Sequence, residues 1–361
     1  MKRFLGEAKL YGCQLQVILI AIFLLSTWCG NCLALGYECL WLEKGPPDWF
    51  SAKNDDGGYI LVFVDVDKRM AGESITWVDC CHARVTYEGL SNLCMQIGRQ
   101  KRLGEFWFFC KSREKLANLD MSFLSGVTNL HSLHVAAETK LENFSAIEVG
   151  QLRLLDLSCV IGIDDERCIG NMRSLETFVA PLMFSSLDIL PCSVTNLRFK
   201  LSEANANKSF GHLSDLKGLE IWTPKGHADL QSRCVQKIAN LKKLEFLKLQ
   251  GDWTGVCNLE FLSQMPLRRL SLERVGIHTL AGVDLRNLEY LAIEHSSLRS
   301  SADIGLMPKL RELVLLNSPI CPISPSAVAN CCPSLEVLTC DGNISGEKTW
   351  VLKRGKWELR E

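Results

Sequence analysis

The sequence predicts an α/β solenoid, a curved array of short parallel strands joined by irregular loops and short helices. Three observations predict it. Apolar residues at relative positions one, four and six recur as eleven triplets between Leu103 and Cys340. The intervals between first members are 27, 22, 23, 19, 22, 28, 23, 21, 22 and 25 residues, within the range of solenoid repeats. The chain is 47% apolar and 22% charged, the balance of a folded protein with a continuous core.

The cadence is clearest across Leu244–Leu315. It reads Leu244-x-x-Leu247-x-Leu249, Leu267-x-x-Leu270-x-Leu272, Leu288-x-x-Leu291-x-Ile293 and Leu310-x-x-Leu313-x-Leu315. Strand alternation turns the fourth and sixth residues to one side. Stacked parallel strands merge these sides into one core, which no single unit can bury alone. The residues between the leucines face the other way, onto the concave surface. Earlier units open at Leu103, Leu130, Leu152, Leu175, Val194 and Leu216, and a last one opens at Leu335. The L-x-x-L-x-L spacing resembles the leucine-rich-repeat family. That resemblance implies a binding scaffold with parallel strands on its concave face and a cap at its end.

Four segments follow. Residues 1–34 read as a targeting segment. Lys2, Arg3 and Lys9 precede the apolar run Val17–Leu25, and small residues end at Ala34. Cleavage after Ala34 makes it a signal peptide; retention makes it a signal anchor, the one case in which the chain meets a membrane. Both place the repeats outside the cytosol, secreted or on the cell surface. Residues 35–100 show no cadence and read as a β-containing cap. Asp55–Gly58 marks a turn, Tyr59–Asp67 a strand and Ser74–Asp79 its partner. Residues 101–345 hold the repeats, and 346–361 read as a C-terminal tail.

Seventeen cysteines are present, and fourteen remain beyond Ala34. An even count outside the cytosol predicts disulfides. Cys340 sits at a core position and reads as a small buried apolar residue. The pattern Cys80-Cys81-His82…Cys94 does not supply the paired spacing of a zinc site.

The asparagine expected eight residues after each first leucine occurs only at Asn343. The loops between strands are therefore expected to be irregular. The long interval before Leu244 predicts a helix over Asp229–Asn240, with Cys234, Ile238 and Leu241 at helical spacing. Asp164-Asp165-Glu166 lacks the spacing of a calcium loop and reads as a solvated loop. Glycosylation acceptors stand at Asn143 and Asn207, both placed on the convex side, and at Asn343, whose slot points inward.

No phosphate loop, nucleophile elbow or H-E-x-x-H motif is present, and no histidine pair has ligand spacing. The sequence predicts no enzyme, no cofactor and no metal. A net charge of −1 gives no footprint for nucleic acid. What remains is a surface. The concave positions of the middle units carry Arg198, Lys200, Glu220, Trp222, Phe246, Lys248, Arg269, Tyr290 and Glu294. Trp, Tyr and Arg dominate interface hot spots, so these residues are the candidate site for a protein or glycan partner. Two further readings stay open: a cytosolic adaptor or ubiquitin-ligase substrate receptor, and a structural surface or matrix component.

Overall fold

The computed structural model describes residues 103–110 and 118–360, with gaps at 148, 210, 227, 254–258, 296, 319, 321–322, 343–345 and 354–355. Ahead of these it describes the backbone of 49–53, 59–64 and 74–79. The leader, Cys39, Cys80, Cys81, His82, Cys94 and Asn343 lie outside the described residues. Among those described, no helix is long and apolar enough to cross a membrane.

One sheet runs through the described chain. It opens with β1 (Trp49–Lys53), β2 (Tyr59–Val64) and β3 (Ser74–Asp79), paired antiparallel. The expected pairing of the two cap strands is present. Next comes β4 (Leu103–Cys110), followed on the convex side by the short β5 (Asn118–Asp120). The main sheet continues with β6 (Ser132–Ala137), and the convex side with β7 (Lys140–Glu142). Then come β8 (Leu154–Asp156), the convex β9 (Gly162–Ile163), β10 (Thr177–Val179) and β11 (Asn196–Lys200). Six more strands follow: β12 (Gly218–Thr223), β13 (Phe246–Trp253), β14 (Arg269–Val275), β15 (Tyr290–Glu294), β16 (Glu312–Leu316) and β17 (Val337–Gly342). From β4 to β17 every neighbouring pair in the main sheet is parallel. Each of the eleven parallel strands falls in one of the eleven sequence units, so the chain is a leucine-rich-repeat solenoid.

The register confirms the inward face. Leu197, Leu219, Leu247, Leu270, Leu291, Leu313 and Leu338 stand opposite one another in succession, and all are buried. The same alternation leaves the intervening residues on the concave face. At the loop side, β5, β7 and β9 form a small second sheet. Phe178 of β10 and the buried Phe184 that follows it pack edge to face, 5.1 Å apart.

The loops are irregular for identifiable reasons. Val160 and Val275 occupy the asparagine slot and are buried, so they cannot tie neighbouring loops. Backbone bonds do it instead: Ile161 N donates to Thr139 O at 2.8 Å, and Leu182 N to Val160 O at 2.8 Å. One asparagine does the work from a displaced position. Asn205 lies in the short helix α1 (Glu203–Ala206), is 1% exposed, and donates to Phe184 O and Lys200 O at 3.0 and 2.8 Å. The helix expected before Leu244 is α2 (Ala228–Ile238), burying Leu230, Cys234 and Ile238.

Of three further expectations, one is corrected. The acidic triplet lies at the solvent as expected, with Asp164 exposed and Asp165 and Glu166 half-buried, and its carboxylates also bond nearby groups. Asp164 accepts from the backbone N–H of Asn143 at 2.7 Å, Asp165 caps Arg167, and Glu166 accepts from Ser185 Oγ at 2.9 Å. Each carboxylate satisfies an N–H or hydroxyl that the irregular loops leave without a ladder partner. The segment expected as a tail forms β18 (Gly346–Lys353) and β19 (Lys356–Arg360), an antiparallel extension of the sheet. Trp350 and Trp357 pack on the end of the core, which the last repeat would otherwise leave bare. Cys159, Cys168, Cys192, Cys234, Cys331, Cys332 and Cys340 are free thiols, while the side chains of the other seven cysteines past Ala34, on which the disulfide expectation also rests, lie outside those described. Several of the free thiols fill core positions. Burial pushes the Cys168 and Cys234 thiols up to about 12.

Candidate functional site

Parallel register converts spacing into rows. Residues at the same position of successive units stand side by side, about 4.8 Å apart. The nine candidate residues fall in three such rows. Phe246, Arg269 and Tyr290 occupy the first. Arg198, Glu220 and Lys248 occupy the second. Lys200 and Trp222 are neighbours in the third, with Glu294 further along it beside Glu273. The structure thus brings all nine to one face, but as a band three rows deep rather than a single strip.

Within the band the side chains organise one another. Lys200 Nζ lies 4.8 Å from the Trp222 ring centre. Arg198 and Glu220 form an ion pair at 3.5 Å. Arg269 stands between two rings, 6.0 Å from Phe246 and 5.1 Å from Tyr290. Trp222 stays 40% exposed, so it is not tucked beneath a loop. Gly218 sits between Asn196 and Phe246; a Cβ there would meet Asn196 Oδ1 at 2.4 Å. Burial raises the Tyr290 hydroxyl pKa above its usual value, and Glu312 adds to the shift.

A second cluster on this face was missed from the sequence. Trp107, His134 and Asp156 stand in register on β4, β6 and β8. The Trp107 and His134 rings are stacked, with centres 3.4 Å apart and planes 8° apart. His134 is 9% exposed; its Nε2 lies 3.0 Å from Ser132 Oγ and its Nδ1 3.5 Å from Asp156 Oδ2. The Nδ1 contact is longer than a good hydrogen bond. Burial pushes the Asp156 carboxyl up, but His134 and Ser158 outweigh it and hold it below the usual range. Serine, histidine and aspartate stand in nucleophile–base–acid order. Ser132 is only 7% exposed, and the N–H groups of β6 and β8 are committed to the parallel ladder, not to an oxyanion. Register, not spacing in the chain, creates this cluster, which is why periodicity could not reveal it.

The rim beside the band carries a different pattern. From Lys217 to Glu336 the residue after the first leucine alternates in sign: Arg268 pairs with Glu289 at 3.6 Å and Arg311 with Glu336 at 3.9 Å. The backbone of these residues also joins the strands, since Arg268 O accepts from both Glu289 N and Tyr290 N.

The two glycosylation candidates are exposed and lie off the strand face. Asn143 is left-handed at φ 53° and donates through Nδ2 to Asp120 Oδ1 at 3.0 Å. Asn207 accepts from Arg233 at 2.7 Å. Among the described residues, no group of three or more His, Cys, Asp or Glu could hold a metal ion.

No family model matches the chain. It is 26% identical to Toll-like receptor 4 of Felis catus over 240 residues, 65% of this chain and 25% of that protein. It is 26% identical to Toll-like receptor 4 of Sus scrofa over 224 residues, 60% of this chain and 23% of that protein. The chain therefore matches about a quarter of the length of these relatives. Among solved structures it is similar to the mouse RP105/MD-1 complex, with TM-score 0.45, 16% identity, 69% of this chain and 45% of that chain covered. It is also similar to internalin C2 of Listeria monocytogenes, with TM-score 0.33, 16% identity, and 72% and 85% covered.

Proposed function

We propose that this leucine-rich-repeat protein is a non-enzymatic binding scaffold, secreted or surface-exposed, that holds a protein or glycan partner on its concave face. The observation that carries the reading is the band built by Lys200 on Trp222 and by Arg269 between Phe246 and Tyr290. These aromatic and cationic groups are not needed by the core, which the leucines fill. Holding them in place lowers the ordering cost of binding. The leader at 1–34, the exposed Asn143 and Asn207, and the likeness to receptors support a place outside the cytosol.

Proximity labelling and pull-down with the expressed chain identify the partner. Trp222→Ala and Tyr290→Ala then weaken that complex at least ~tenfold while unfolding stays cooperative. Binding kept by the double variant, and lost instead on altering the convex side, refutes the concave assignment. One observation favours a second reading, a cytosolic adaptor: seven cysteines among the described residues are free. Enzymatic deglycosylation decides. Mass loss traced to Asn143 and Asn207 supports the first reading; no shift together with cytosolic fractionation supports the second.

A further inference from the structure

We infer that Arg269 is a preformed receptor for an acidic side chain of a protein partner, and that Glu273 and Glu294 take a basic side chain of the same segment. The inference rests on the concave-face reading and narrows its partner to a protein.

Arg269 is exposed, yet its guanidinium is bracketed by Phe246 and Tyr290 at 6.0 and 5.1 Å. Rings flank the guanidinium on both sides, and the residue is open to solvent. Among the described residues no carboxylate reaches it within ion-pair distance. A planar cation held this way fits a carboxylate through two parallel hydrogen bonds. At the far end of the same strand lies the opposite charge. Glu273 and Glu294 stand directly opposite each other on β14 and β15, both half-buried. Neither meets a cation within ion-pair distance among the described residues. Like charges facing one another across parallel strands destabilise the sheet, and a cation docked between them relieves this.

The two sites are four residues apart on β14, about 13 Å along an extended strand. A partner must therefore offer both signs at about that separation. A neutral glycan supplies neither. A polyanion satisfies Arg269 but is repelled by the glutamate pair. An extended protein segment with an acidic and a basic residue about four positions apart meets both.

The test pans a random peptide library on the purified full-length chain. Enriched peptides are synthesised and titrated against wild type, R269K, R269A, E273K/E294K and W222A/Y290A. The outcome expected is peptides carrying both an acidic and a basic residue. They bind R269A and R269K at least ~tenfold more weakly, since lysine keeps the charge but loses the planar fork. Replacing the basic peptide residue by glutamate restores binding to E273K/E294K. Each variant must keep the wild-type melting temperature. Peptides that depend on Trp222 and Tyr290 but ignore Arg269 overturn this inference and leave the concave reading standing. Peptides indifferent to Trp222 and Tyr290 overturn both. A library with no concave-dependent binder overturns the protein assignment.

Discussion

Gly251→Ala should weaken the solenoid far more than Gly282→Ala, although both glycines are left-handed. Gly251 has φ +104° and Gly282 φ +91°, so alanine at either meets the left-handed penalty of ~1–2 kcal/mol. Loss of unfolded-state freedom returns ~0.4–1 kcal/mol in each case. The surroundings then separate them. A Cβ on Gly282 meets nothing within 4 Å, whereas a Cβ on Gly251 lies 2.1 Å from the carbonyl oxygen of Thr223. That oxygen belongs to β12, which pairs with β13 at this point, so relief requires the two strands to part. Overpacking of this kind adds ~1–3 kcal/mol. The total is ~1–5 kcal/mol for Gly251→Ala and ~0–1.6 kcal/mol for Gly282→Ala, a separation of ~1–3 kcal/mol. Denaturant unfolding of both variants measures the difference, and hydrogen exchange locates it at β12 and β13. Equal losses, or a neutral Gly251→Ala, would refute the strand contact.

Leu270→Ala should cost ~2–5 kcal/mol, because the side chain is fully buried between Leu247 and Leu291 in register. Glu273→Ala, on the other face of the same strand, should cost less than ~0.5 kcal/mol by thermal unfolding; equal effects would mean the register is off by one. Asn205→Ala should cost ~2–4 kcal/mol by chemical denaturation, because it strips the carbonyls of Phe184 and Lys200 of a buried donor. A loss below that of an average surface substitution would show that water replaces the amide. Asp156 has a depressed folded pKa, so its contribution is present above the unfolded value of ~3.9 and is lost as pH falls through the folded one. The melting-temperature gap between wild type and Asp156→Asn should therefore narrow as pH is lowered from ~6 to ~3; a constant gap would show that the carboxylate's ionisation is not linked to folding.

The array was legible in the chain because every unit repeats the same demand. Leu247, Leu270 and Leu291 each need neighbours on both sides, so a register error in one would propagate to all. The nine candidate residues were legible for the same reason, as the complement of the core positions. What has no period was not legible. Trp350 and Trp357 cover the last repeat once, and nothing earlier in the chain announces them. Asn205 does the work of the missing asparagine from three residues further on, through a capping box with Ser202. Trp107, His134 and Asp156 come from three units and meet only because β4, β6 and β8 align.

The rim shows what this sheet does with charge when no partner is involved. From Lys217 to Glu336, at the residue after the first leucine, opposite signs stand on adjacent strands, and Arg268 with Glu289 or Arg311 with Glu336 come within ion-pair distance. Such exposed pairs contribute little each, about 0–1 kcal/mol, yet the alternation runs along the rim. On the face, Arg198 and Glu220 follow that rule, but β14 and β15 depart from it. Glu273 faces Glu294, while Arg269 is given aromatic neighbours in place of a carboxylate. The strand spacing is the same in both places, so geometry does not prevent matching on the face. A surface that matches its charges at the rim and at Arg198–Glu220, yet leaves Arg269, Glu273 and Glu294 unmatched on β14 and β15, is arranged for charges supplied from outside. That contrast, drawn within one sheet, is the reason to look for the partner on the face of β13, β14 and β15 rather than on the rim.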